Sequence, residues 1–222
     1  MKINTKEILD IDHTICKDLF LDDYEVWKLI PKIKEYIIKL GNSLDKTKYD
    51  KLSDDIWVSK SANISPTAHI DGPCIIDDNT EIRHCAYIRG GVVIGKNCVI
   101  GNSCELKNVI IFDNCQIPHF NYMGDSIMGY HSHIGAGVIV TNLKSDKTSV
   151  TIKNNGEEIV TGLRKMGGII GNYVEVGCNS TIFPGTIIYP NTNVYPLTRV
   201  RGVIKSNSIV KSEKEIIRKE ER

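Results

Sequence analysis

No Cys-x-x-Cys pair occurs in this chain, although it holds seven cysteines, Cys16, Cys74, Cys85, Cys98, Cys104, Cys115 and Cys178. An odd count without that spacing argues against a disulfide framework and against a zinc cluster, so no metal is expected. Reduced thiols in a cytoplasmic protein are the expectation. Aromatic residues are scarce, at 7%, which points to a core of aliphatic and small side chains. An excess of charge of either sign is also missing. Twenty-eight Lys and Arg stand against 27 Asp and Glu, for a formal net charge of +1. That balance gives no electrostatic reason to expect nucleic acid or an anionic membrane as partner. No apolar run approaches transmembrane length, and residues 1–20 mix Lys, Glu and Asp with aliphatics instead of forming a signal peptide's apolar centre.

What is present is a period. Ile64, Ile70, Ile76, Ile82, Ile88, Ile94, Ile100, Leu106 and Phe112 recur every six positions. Four positions after each of the first six stands a residue of modest size: Ala68, Cys74, Thr80, Ala86, Val92 and Cys98. The series slips between Phe112 and Tyr122, resumes at Met128, Ile134 and Val140, and returns at Ile170, Val176, Ile182, Ile188, Val194 and Val200. A period of six is neither helical nor simply that of a strand. It is the signature of a parallel β-helix built from hexapeptide repeats, three to a coil, with the large aliphatics pointing inward. Cys74, Cys98 and Cys104 fall at small-residue positions and read as buried apolar side chains. Gly95-Lys96-Asn97 and Gly101-Asn102-Ser103 read as corners that need tight turn conformations.

Residues 1–55 are expected to form an N-terminal helical segment and linker. Ile8, Ile11, Ile15 and Leu19 fall at helical spacing, as do Trp27, Ile30, Ile33, Ile37 and Leu40. The second helix would open at Asp22-Asp23, close at Gly41 and be kinked by Pro31. Such helices would cover the N-terminal end of the solenoid, whose strand edges are otherwise bare; a docking element is the alternative. The solenoid is assigned to residues 56–210, with breaks at 118–121 and over a loop excursion at 141–169. The second break holds Asn155-Gly156 between alternating residues, which predicts a small hairpin projecting from the solenoid. The charged stretch 211–222 is expected to be a short helix or a frayed tail.

Two stacked cations stand out. Lys107 follows Arg89 by 18 residues, one coil, so the two should lie about 4.7–4.9 Å apart along one face. The functional reading is a phosphate or carboxylate clamp, and the plain one is two solvated surface cations. His119 lies in the first interruption, with Tyr122 beside it. An imidazole is the natural general base near neutral pH. His119, His131 and His133 lack the spacing of known hexapeptide metalloenzymes.

The run His119-Phe120-Asn121-Tyr122-Met123-Gly124-Asp125, then Ile134-Gly135-Ala136-Gly137, then Thr141-Asn142 carries a resemblance. It resembles the hexapeptide-repeat acyltransferases, and among them the acetyltransferase half of bifunctional N-acetylglucosamine-1-phosphate uridylyltransferase/glucosamine-1-phosphate acetyltransferase. Tyr87-Ile88-Arg89-Gly90 and Glu105-Leu106-Lys107 are similar to two further elements of that family. The resemblance covers roughly residues 60–205 and implies left-handed coils, against the usual right-handed hand of parallel crossovers. It also implies a homotrimer with active sites between subunits. The implied reaction is acetyl-CoA-dependent N-acetylation of an amino sugar, with O-acetylation of a hydroxyl or a non-catalytic sugar-nucleotide-binding solenoid as alternatives. It implies that His119 is the base, that Arg89 and Lys107 hold the sugar 1-phosphate, and that Tyr122, His133 and Asn142 contact the sugar. Ala136 would contact acetyl-CoA through its backbone, and Cys178 and Pro196 would line the pantetheine channel. The chain departs from the pattern at His133, where the family has Asn, and at Leu143, where it has Tyr. The excursion through Arg164-Lys165 replaces a shorter loop, and Arg199, Arg201 or Lys205 would have to replace the family's arginine on the CoA phosphates. No Gly-rich nucleotide loop followed by Arg is present, so the nucleotidyltransferase half is expected to be absent.

Overall fold

A computed structural model describes residues 3–21 and 25–220. Its fold class is the parallel β-helix, mainly β with one α-helix among the described residues. Three walls of parallel strands run its length. The first stacks Ile56–Ser59, Cys74–Ile76 and Val92–Ile94, then continues to Val203–Ile204. The second runs from His69–Asp71 through Tyr87–Arg89 to Arg199–Val200. The third runs from Asn63–Ile64 through Val99–Asn102 and Gln116–His119 to Ser208–Ser212. The first two walls merge into one sheet because Glu105–Ile111 and Tyr122–Met128 each pass around the corner between them as one strand.

The inward residues follow the six-residue series, and nearly all are fully buried in one core. The small-residue positions Cys74, Thr80, Ala86, Val92 and Cys98 are buried as expected. One member of the series is corrected. Ile111, not Phe112, points into the solenoid, and Phe112 lies in a second, lateral core against Phe20. The slip therefore begins at Leu106, and 118–121 is not a break. The steps from Leu106 to Ile111 and from Met123 to Met128 are each one residue short, so two coils have 17 residues instead of 18. Ile117 and Met123 keep the interior filled between them.

The corner glycines are also corrected in part. Asn97 and Ser103 take the left-handed conformation there, while Gly95 and Gly101 serve close approach. A Cβ on Gly101 would lie 1.4 Å from the Pro118 carbonyl oxygen.

The N-terminal segment does not cap the end of the solenoid. It lies along the outside of the first wall, whose outward residues Ile75, Val93, Ile110, Ile127 and Ile169 are buried beneath it and its neighbours. Burial of each such side chain contributes roughly 1.5–3 kcal/mol. The expected first helix is instead three short 3-10 turns, Thr5–Glu7, Ile11–His13 and Lys17–Phe20. Asn4 and Asp10 accept hydrogen bonds from the backbone two residues on, which competes with a continuous helix. The second helix is split near Pro31 into a 3-10 turn, Val26–Lys32, and α1, Ile33–Ser43. Its expected start at Asp22-Asp23 lies outside the described residues. The linker holds a strand, Tyr49–Ser53, that pairs antiparallel with Ile56–Ser59 and covers the first coil. Up to residue 220 the C-terminal stretch is a hairpin arm instead of a helix or a frayed tail: Glu215–Arg218 folds back antiparallel on Ser208–Ser212.

The excursion forms the expected hairpin, Thr151–Asn154 with Glu157–Val160, turning at Asn155 and Gly156, both with positive φ. It folds back instead of projecting. Val150, Ile152 and Met166 are buried in the lateral core. No helix among the described residues is long and apolar enough to cross a membrane.

Candidate functional site

The site residues gather on the second wall and on the corner where the third wall enters it. His119 ends the strand Gln116–His119 and is exposed. Its Nδ1 lies 3.0 Å from Asn102 Oδ1, one coil away on the same wall. With the Asn oxygen as acceptor, Nδ1 carries the proton and Nε2 keeps a free lone pair. Asn121 supports the turn that follows. It is buried, its Oδ1 accepts from the His119 backbone N–H at 3.1 Å, and its Nδ2 donates to the Gly135 carbonyl at 2.7 Å.

Along the third wall Gln116 pairs with His133, His133 with Glu175, and Glu175 with Asn193. Three residues further on, the same register stacks His119, Ala136, Cys178 and Pro196 as one ladder at the corner. Backbone bonds fit it: Gly137 N–H donates to the His119 carbonyl, Asn179 N–H to Ala136, and Leu197 N–H to Cys178. A Cβ on Gly177 would lie 2.4 Å from Pro196 N, and one on Gly135 would lie 2.9 Å from Cys178 Sγ. The strip is thus tightly layered, with small residues beside His119. His133 stands apart. It sits on the third wall, three residues before Ala136, with Nδ1 2.9 Å from Glu175 Oε2.

Around the corner, the second wall stacks Tyr87, Glu105, Tyr122 and Ile139. Arg89 and Lys107 lie on adjacent coils of this wall, as their spacing predicts. Each already faces a carboxylate: Arg89 pairs with Glu105, and Lys107 Nζ lies 3.2 Å from Asp125 Oδ2. Asp125 is buried and also accepts from Asn108 Nδ2 at 2.9 Å and from Asn142 Nδ2. Asn142 stands at the base of the excursion, where its carbonyl accepts the Met166 N–H at 3.0 Å. Burial raises the Tyr122 phenol above its ordinary value, and the charges of Asp125 and Glu105 add to the shift. Tyr122 therefore keeps its proton at neutral pH more firmly than a free tyrosine, and the neutral phenol offers no base there.

Among the described residues no group of three or more His, Cys, Asp and Glu could hold a metal ion. Sequence reasoning missed Asn102 as the partner of His119. The signal was hidden because the 17-residue coil between them breaks the regular stacking rule. It named Glu105 and Asp125 inside motifs without seeing that they neutralise the two cations.

A protein-family model described as the GMPPB C-terminal domain matches residues 70–216. The chain is 34% identical over 209 residues to a bifunctional sugar-1-phosphate nucleotidylyltransferase/acetyltransferase of Sulfurisphaera tokodaii, covering 83% of this chain and 50% of that protein. It is 36% identical over 134 residues to the bifunctional protein GlmU of Methanococcus aeolicus, covering 52% of this chain and 32% of that one. The chain thus spans half or less of the length of these curated relatives. Among solved structures, a mutant of AntD, an N-acyltransferase from Bacillus cereus crystallised with dTDP and coenzyme A, aligns with a TM-score of 0.46 at 19% identity, covering 75% of this chain and 81% of that one. With the match spanning most of the solenoid and agreeing with its repeat, the chain belongs to the family of the GMPPB C-terminal domain.

Proposed function

We propose that this protein transfers an acetyl group from acetyl-CoA to the amine of an amino sugar, with a sugar 1-phosphate such as glucosamine 1-phosphate as the acceptor. One observation carries the reading: His119 is oriented by Asn102 at the corner that adjoins the wall of Lys107, Tyr122 and Asn142. In this reading the acceptor lies on the second wall. Arg89 and Lys107 hold its phosphate, and Tyr122 and Asn142 meet the sugar ring. His133 stands further along the third wall and would reach the substrate only from that side.

The amine must lose a proton as it attacks the thioester carbonyl. His119 Nε2 takes that proton while the C–N bond forms and the C–S bond breaks, and the imidazolium returns it to the departing thiolate. Holding the two substrates side by side contributes much of the rate. Acetyl-CoA is a co-substrate, and the Ala136, Cys178 and Pro196 ladder suits its pantetheine arm, since it runs from His119 as a strip of small side chains, half-buried at Ala136 and exposed at Cys178 and Pro196. Gly135 and Gly137 commit their N–H groups to the Val176 and His119 carbonyls. The Ala136 N–H is assigned to the carbonyl oxygen that becomes negative in the transition state. No metal takes part in this scheme.

A homotrimer in the cytoplasm completes the proposal. Phe120 and Leu197, beside His119 and Pro196, hold left-handed backbones while 59% and 78% exposed. Large apolar side chains in that conformation at a corner are suited to contact with another copy.

The test is release of free thiol from acetyl-CoA against a panel of amino sugars and hydroxyl sugars, each with and without a 1-phosphate. The reading expects turnover with the phosphorylated amine. Turnover with hydroxyl acceptors alone would make the protein an O-acetyltransferase. Absence of both turnover and acetyl-CoA binding would make it a non-catalytic solenoid.

A further inference from the structure

We propose that Asn108 is a positioning residue of the acceptor site, tying the N-terminal segment to the Asp125 carboxylate. The inference rests on the functional reading above, which places Lys107 and Asn142 against the acceptor. Asn108 sits at the corner between the second and first walls with φ of 54°, one short coil before Asp125 at 48°. Its carboxamide nitrogen donates in two directions, to Asp125 Oδ1 at 2.9 Å and to the Ile30 carbonyl at 3.3 Å. Asp125 is only 5% exposed. Both of its oxygens are engaged: Oδ1 by Asn108 and Lys107, Oδ2 by Lys107 and Asn142. A carboxylate held this way fixes the ammonium of Lys107 and the amide of Asn142 at once. Removing the Asn108 donor frees it to turn, and both acceptor groups turn with it.

The N-terminal segment is thereby more than an apolar cover for the first wall. Gly91 has no side chain at the same corner. A Cβ there would lie 2.9 Å from Asn108 Oδ1 and 3.0 Å from Lys34 Cγ, so α1 also closes on this point. The segment is hydrogen-bonded to the acceptor wall through the Asn108 carboxamide.

Two variants test this. Asn108→Gly keeps the left-handed backbone without strain and removes the carboxamide. Asn108→Asp keeps the shape, loses the donor and sets a second carboxylate beside Asp125. Calorimetric binding of glucosamine 1-phosphate should weaken about tenfold in each, the scale of one hydrogen bond to a charged group. KM for the acceptor should rise in parallel, while KM for acetyl-CoA stays unchanged. A merely structural role would raise both KM values together, and that result, or an unchanged acceptor Kd in both variants, would overturn the proposal. If the wild-type protein binds the acceptor without transferring acetyl, the proposed function fails while the Kd comparison still decides the role of Asn108. A wild-type protein that binds no amino-sugar phosphate would overturn both.

Discussion

His119 and Asn102 are joined across one coil by a 3.0 Å contact between Nδ1 and Oδ1. That contact selects the tautomer with Nε2 free to accept a proton. Asn102→Ala removes the selection without touching either substrate. The expected outcome is a fall in kcat of about tenfold, short of the roughly 10²–10⁴-fold that loss of the base itself costs, with both KM values unchanged in steady-state assays.

Lys107 and Arg89 should separate when each is changed to alanine. Both variants raise KM for a phosphorylated acceptor and leave acetyl-CoA binding intact. Only Lys107→Ala should also lower Tm, because it strips a cation from the buried Asp125, whereas the Arg89–Glu105 pair is largely exposed. Equal acetylation of an unphosphorylated amino sugar would remove the clamp.

Much of the solenoid was legible because its interior repeats on a fixed period that nothing else produces. The series from Ile64 to Leu106 and from Ile170 to Val200 points into the solenoid at every position the period marks. The two short coils were not legible, because a one-residue deletion lets Phe112 sit where the period expects an inward residue. Helical spacing does not place the N-terminal segment along the first wall, yet the sequence carries a signal for it. In Cys74-Ile75-Ile76, Val92-Val93-Ile94 and Val109-Ile110-Ile111 the outward residue is also apolar, whereas Glu81-Ile82-Arg83 on the third wall and Tyr87-Ile88-Arg89 on the second put polar or amphipathic residues outside. A wall apolar on both faces must be covered. At the site, family spacing led to Arg89, Lys107, His119 and Tyr122, but the carboxylates that balance the cations depend on side-chain direction, which spacing does not carry.

The seven thiols should divide sharply. Cys85 and Cys178 are exposed and the other five buried. Burial pushes the Cys16 thiol up to about 12 and raises Cys74 and Cys98 as well, so these remain neutral and unreactive at neutral pH. A colorimetric thiol titration should find two fast sites in the native protein and all seven in denaturant. Rapid native reaction at Cys74 or Cys98 would contradict the packed interior.

Asp113 gives a pH signature. Burial raises its carboxyl above the ordinary value of 3.8, with Asp77 adding to the shift and the Lys96 N–H opposing it. A raised acid binds its proton more tightly in the fold, so its favourable contribution is present below pH 3.8 and is lost as pH rises through the higher folded value. Asp113→Asn, which keeps an oxygen for the Lys96 N–H, should therefore raise Tm at pH 7. The gain should shrink as pH falls toward 4. A gain that grows on acidification would reverse the sign.

The most direct test of the account is kcat of His119→Ala with acetyl-CoA and the acceptor that the wild-type protein uses best. The account predicts a fall of about 10²–10⁴-fold with little change in either KM, because the second wall and the Ala136, Cys178 and Pro196 ladder remain in place. A variant that keeps near-normal kcat would contradict it, and would move the search for the base to His133 on the third wall.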